Sequence, residues 1–247
     1  MTAHDPSSEV ARLLSETAGV LLDFNGTLSD DEDLLAGLLA ELAFEELGIA
    51  LGPERYYAEF VGQTEEHMFR TLVEERGTAA DPAEAHRLVG ALVSKFNRRY
   101  LDRVSVDRRI PEAAEAFVRE ARARGKSIAV VTAASKDIVV PTLNRLDLLE
   151  PIDAVVALED VEHSKPEPDC YLRALDLLGL SPEQALVFED SRTGLSSAGA
   201  AGIRTVAVGD ALSDAEREAF TPYAVPALHP ALFREAGAAQ LLKAPSA

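Results

Sequence analysis

A chain of 247 residues, 47% apolar and 27% charged, is long enough to bury a full core and has the composition of an ordinary globular protein. Its 42 acidic residues against 24 basic ones leave a formal net charge of -18, which disfavours nucleic acid and anionic lipid surfaces as partners. Cys170 is the single cysteine, so no intrachain disulfide can form. No apolar run reaches membrane-spanning length and MTAHDPSSEV is no secretory leader, so the expected compartment is the cytoplasm.

Residues 1–17 read as a polar, partly helical lead-in. Val20–Phe24 (VLLDF) is a short apolar run bounded by turn residues, which predicts a buried parallel strand. Asn25–Asp33 is rich in Gly and Asp and is expected as loop. From Leu34 to about Tyr100 the apolar spacing is helical, with Gly or Pro at the segment ends and no strand pattern. This stretch reads as a helical insertion.

Beyond it, helices and strands alternate. PEAAEAFVREARARG is a helix, SIAVVT a strand, and KDIVVPTLNRLDLL a helix that Pro141 should bend or delay. DAVVAL, QALVFED and IRTVAVGD are strands separated by the helices PDCYLRALDLLG and TGLSSAGAAG; a weak strand at YAV and a helix at PALFREAGAAQLL close the chain. The alternation predicts an α/β fold: a Rossmann-like parallel sheet core with an inserted all-helical cap. The expected division is a core from residues 1–30 and 108–247, and a cap from 31–107.

In such sheets ligands sit where strands end at a topological switch point. Asp23 ends the first strand, Thr132 the next core strand, and Glu189 with Asp190 a later one; Lys165 follows DAVVAL. Carboxylates, a hydroxyl and a cation thus converge on one crevice. A carboxylate attacks phosphorus only when the phosphoryl charge is neutralised, and Mg2+ does this with a few carboxylate oxygens. Asp23, Glu189 and Asp190 supply that acidic nest, while the five histidines are dispersed and offer no zinc site. Lys165 and Thr132 would hold phosphate oxygens, with backbone amides of the Asn25–Gly26–Thr27 turn and Ala133 completing the cradle.

DFNGTLSD, VVTAAS, SKPEPDCY and FEDSRTGLSSAGAAG resemble, in order, the four motifs of the haloacid dehalogenase-like hydrolase superfamily, in its helical-cap branch related to β-phosphoglucomutase and phosphatases. The likeness runs from about Val20 to Gly209. It implies a Rossmann-like sheet, Mg2+, a mobile cap and a phosphorylated intermediate on Asp23, the nucleophile and a metal ligand. It further implies phosphate contacts from Thr132 and Lys165, and metal binding by Asp190 with Glu189 beside it. The backbone carbonyl of Asn25 would be a further metal ligand.

Asn25 also departs from the pattern, because phosphatases and mutases of the family carry Asp there as general acid and base. Losing that group typically slows turnover by ~10²–10⁴-fold. Three explanations follow: a substrate with a good leaving group, a substitute acid (Asp30, Asp31, Glu32, Asp33 or the cap residue His67), or a chain that binds without turnover. The leading expectation is a phosphatase acting on a small phosphorylated metabolite. A non-catalytic phospholigand binder is the rival reading, supported by Asn25 alone, and carbon–halogen hydrolysis is disfavoured because it needs no Glu189–Asp190 nest. Ser135 and Arg192 are candidate site neighbours that read more simply as structural residues. Arg98–Arg99 could steer an anionic substrate but read more simply as a solvated helix end, and Cys170 reads as a packed small residue.

Overall fold

The computed structural model describes residues 6–77 and 79–234. Val20, Leu21 and Leu22 are wholly buried, because helices cover both faces of the sheet to which they belong. That sheet joins β1 (Gly19–Leu22), β2 (Ser127–Val131), β3 (Ala154–Val156), β4 (Ala185–Glu189), β5 (Arg204–Val208) and β6 (Ala224–Val225). Every pairing is parallel and the spatial order is β3-β2-β1-β4-β5-β6. The chain therefore builds outward from β1 in both directions, and the switch point lies at the end of β1.

Alternation along the strands sorts side chains between two apolar layers. Val20, Leu22, Ile128, Val130, Leu186 and Phe188 join one cluster, and Leu21, Ala129, Val131 and Val187 the other. The second layer packs under α8 (Asp169–Leu178) and α9 (Arg192–Ala200). The first is continuous with α1 (Pro6–Glu16), α6 (Glu112–Ala123), α7 (Lys136–Arg145) and the helices inserted after β1.

Those inserted helices are α2 (Glu32–Leu42), extended by a π turn over Ala43–Leu47, then α3 (Pro53–Glu59), α4 (Glu65–Arg76) and α5 (Pro82–Val106). Among the described residues no strand interrupts them. Leu38, Phe69 and Phe96 pack into the same apolar cluster as the sheet, so the insertion lies against the core. Asp81 and Thr64 accept from the Glu84 and His67 amides and so cap α5 and α4, whose first turns would otherwise leave those donors unpaired. No helix among the described residues is long and apolar enough to cross a membrane.

The elements depart from expectation at a few places. The first strand stops at Leu22, one residue before Asp23, and α2 starts at Glu32 rather than Leu34. Pro141 does not delay α7; Ser135 caps the helix by accepting from the Asp137 amide, and Pro141 falls inside it. The helix expected from Pro230 appears as a short 3-10 turn over Pro230–Phe233, and its remainder lies outside the described residues.

Candidate active site

Asp23 emerges from β1 with its amide still donating to Phe188 O of β4 at 3.0 Å, so the strand pairing fixes where the carboxylate points. Glu189 and Asp190 leave the adjacent strand at the same level. Lys165 reaches between them: its Nζ donates to Asp23 Oδ1 at 2.5 Å and to Glu189 Oε1 at 2.6 Å. The ring of Tyr171 lies beneath the ammonium, 5.3 Å away. One ligand oxygen from each of Asp23, Glu189 and Asp190 falls within 4.8 Å of the others, and all three residues are buried.

Short loops hold each carboxylate. Glu189 Oε2 accepts from the Ser191 amide at 2.8 Å and the Ser191 hydroxyl at 3.0 Å, while Ser191 also caps α9 by accepting from the Gly194 amide. Asp190 Oδ1 accepts from the Thr27 hydroxyl at 3.0 Å. Gly26 has φ 76°, and a Cβ there would lie 2.1 Å from Asp190 Oδ2. A side chain at residue 26 would therefore be strained and would strike the carboxylate. Gly194 is under a similar demand, since its Cβ would lie 1.7 Å from Glu189 Oε1.

The electrostatics of this cluster are unbalanced. Burial, then the charge of Glu189, pushes Asp23 up to about 8, against the pull of Lys165. Burial, Glu189 and Asp23 likewise push Asp190 far above the ordinary carboxyl range. Burial works against the Lys165 ammonium, but Asp23 and Glu189 more than offset it. Three ionised carboxylates facing one ammonium leave two uncompensated negative charges, which a divalent cation would balance. The donors are all oxygens, the set suited to a hard ion such as Mg2+. The residues therefore fit the implied metal.

A cavity of about 30 Å³ lies over the cluster, lined among others by Asp23, Glu32, Tyr56, Thr132, Ala133 and Lys165. The Thr132 hydroxyl oxygen accepts from the Ala134 amide at 3.0 Å, which fixes its orientation. Gly26 and Thr27 pack against Asp190 instead. Asn25 also lines this cavity, and its side-chain amide donates to Asp31 Oδ2 at 2.9 Å. From the insertion, Gly62 approaches α9, where its carbonyl accepts the Thr193 hydroxyl at 3.1 Å.

The peripheral residues stay outside the carboxylate cluster, and Arg98 and Arg99 lie inside α5 rather than at a helix end. Ser135 caps α7 and donates to Glu159 Oε1 at 2.6 Å, Arg192 is exposed and pairs with Glu216, and His67 is exposed on α4. Arg99 pairs with Glu45, while Arg98 lines a separate cavity of about 600 Å³ beneath α4 and α5. Burial raises the Cys170 thiol, whose Sγ lies 3.6 Å from the Ser197 hydroxyl in the apolar layer. Sequence reasoning gave no role to Ser191, Gly194 or Tyr56. The S-x-x-G start of α9 was the available signal for the first two; Tyr56 comes from a distant helix and carried none.

The sequence matches the family described as haloacid dehalogenase-like hydrolase over residues 20–208. It is 28% identical over 208 residues to a Bacillus cereus protein named pyrophosphatase PpaX, covering 82% of this chain and 88% of that one. β-Phosphoglucomutase from Clostridium difficile superposes with a TM-score of 0.73 at 17% identity, over 86% of this chain and 92% of that one. A CbbY mutant from Rhodobacter sphaeroides, in complex with xylulose-(1,5)bisphosphate, gives a TM-score of 0.72 at 24% identity, covering 86% of this chain and 95% of that one. With the sheet order, the carboxylate cluster and the helices over it already in place, the chain belongs to the haloacid dehalogenase-like hydrolase family and is a phosphatase-type enzyme of its helical-cap branch.

Proposed function

We propose that this protein is a Mg2+-dependent phosphohydrolase that moves the phosphoryl group of a small phosphorylated metabolite onto Asp23 and then to water. The observation that carries this reading is Lys165 bridging Asp23 and Glu189 at the switch point, with Asp190 alongside. A nucleophile, a fixed cation and an oxygen-rich metal nest are what phosphoryl transfer requires, because its catalysis is mostly positioning and charge stabilisation.

In this reading Asp23, Glu189, Asp190 and the Asn25 carbonyl hold the metal. When bound, the ion neutralises phosphoryl charge and lets the carboxylates stay ionised. Lys165 holds Asp23 in line and takes a non-bridging phosphate oxygen. Thr132 and the backbone amides at Ala133, Gly26 and Thr27 supply further donors. Asn25 slows or specialises the reaction, because an amide moves no proton near neutral pH.

Residues 31–107 act as the cap. A cavity of about 30 Å³ admits a water-sized group and no phosphate ester, so the helices over the site must move for substrate to enter. The acidic nest argues against carbon–halogen hydrolysis, which has no use for a divalent cation. The reading is tested by acid-quenching the protein with radiolabelled aryl phosphate and Mg2+. Label should stay covalently bound to the unmodified chain and be absent from Asp23→Asn; equal labelling of the two would sink it.

A further inference from the structure

The proposed reaction needs an acid for the leaving oxygen and a base for the attacking water, and Asn25 is neither. The acidic run after it separates by environment. Asp30 is exposed, and Asp33 is exposed and paired with Arg109 at 2.7 Å. Asp31 is wholly buried and absent from the cavity wall, with Oδ2 accepting from Asn25, Ser29 and Tyr100. Glu32 differs. It lines the cavity together with Asp23, Thr132 and Lys165, and its Oε2 accepts the Tyr56 hydroxyl at 2.8 Å. Among the described residues its side chain makes no other hydrogen bond, so one carboxyl oxygen is held while the second is left for a reacting atom.

We propose that Glu32 is the proton-transfer residue of this active site, with Tyr56 as the residue that positions it. The inference rests on the phosphohydrolase reading. In the first step an oxygen of Asp23 attacks phosphorus, the bond from phosphorus to the leaving oxygen breaks, and that oxygen takes the proton of the Glu32 carboxyl. In the second step water attacks phosphorus, the bond to Asp23 breaks, and Glu32 takes the proton that water gives up. The sum is ester plus water giving alcohol plus inorganic phosphate, with Asp23 and Glu32 restored.

The surroundings suit both steps. Burial, then the charge of Asp31, holds Glu32 at about 7, with the Tyr56 hydrogen bond pulling the other way. Both protonation states are then populated near neutrality, as alternating acid and base work requires. The groups facing Glu32 are Asp31 and Asp33 from its own segment and Tyr56 and Tyr57 from α3. Across the cavity stand Asp23, Lys165, Glu189 and Asp190 from the core, and Glu65 from α4.

The test compares Glu32→Gln, Tyr56→Phe and the unmodified chain on p-nitrophenyl phosphate and on phenyl phosphate, with Mg2+ present. Nitrophenolate departs without a proton, so Glu32→Gln should release about one equivalent in a burst and then turn over roughly 100-fold or more slowly, since water lacks its base. Phenyl phosphate, a poorer leaving group, should lose the burst as well. Tyr56→Phe should keep turnover within about tenfold but move the pH limit assigned to Glu32 upward, because the lost hydrogen bond favoured the carboxylate.

Turnover of both esters by Glu32→Gln within about threefold of the unmodified chain, with no burst, would overturn the assignment. So would a natively folded Glu32→Gln chain showing neither burst nor turnover, which would place Glu32 in nucleophile or metal support. Silence of the unmodified chain would instead overturn the phosphohydrolase reading, and the inference with it.

Discussion

The side-chain amide of Asn25 donates to Asp31 Oδ2 across 2.9 Å, and Ser29 and Tyr100 donate to the same oxygen at 2.7 and 2.5 Å. Residue 25 is thus matched to a buried carboxylate. Burial pushes Asp31 up to about 6, while the donors from Tyr100, Ser29 and Asn25 pull it down.

An aspartate at residue 25 would meet Asp31 as a like charge. Asn25→Asp should therefore lose about 1–3 kcal/mol of stability near pH 8, and less near pH 5.5, where the two carboxyls share a proton. Adding Asp31→Asn exchanges donor and acceptor and should recover most of the loss. Denaturant unfolding of the four chains reads the coupling. Strictly additive losses at both pH values would contradict the matched pair.

The metal-free protein should lose stability as pH rises. Asp31, Glu32 and Glu65 are held at about 6, 7 and 7, mainly by burial, above the ordinary carboxyl range. The folded state then binds protons that the unfolded state has released, so their contribution is full below the unfolded values and lost as pH passes the folded ones. Thermal melts in a chelator should show Tm falling between about pH 5 and pH 8. Mg2+ should restore Tm more at the upper end, where the nest is ionised. A chelated Tm that rises across this window would contradict the account.

Lys165→Met should be among the most damaging single changes. It leaves Asp23 and Glu189 facing one another in a buried site without their cation, and breaking such a group typically costs about 3–5 kcal/mol. Part of the loss should be regained as pH is lowered from the alkaline side, because Asp23, held at about 8 with Lys165 present and higher without it, takes up a proton there. A change below about 1 kcal/mol by denaturant unfolding would mean that the ammonium does not hold the cluster.

Gly194→Ala probes a residue that touches no reacting atom. Its new Cβ would displace Glu189, which is tied to Ser191 and has little room to yield. The Mg2+ concentration for half-maximal activation should rise about 10–100-fold, as for other groups that orient metal ligands. Unchanged activation with intact folding would remove Glu189 from metal support.

The sheet was legible because each strand is an apolar run of buried length, and the crossover rule then places their ends together. Asp23, Glu189 and Asp190 could be read as one cluster from their positions after such runs. Lys165 followed from its place in the loop after DAVVAL. Glu32 could be read only as one of several acids after Asn25, and Tyr56 not at all, since their nearness to Asp23 depends on how α2 and α3 pack against the core. The bond from Asn25 to Asp31 was equally hidden: six residues apart in a loop, their pairing depends on a turn that only the fold defines.

The most direct measurement is phosphate release from p-nitrophenyl phosphate as Mg2+ is titrated, for the unmodified chain and for Asp23→Asn. The account predicts saturable, Mg2+-dependent release that falls to background in Asp23→Asn. Equal release by the two chains, or none from the folded unmodified chain at any Mg2+ concentration, would contradict it.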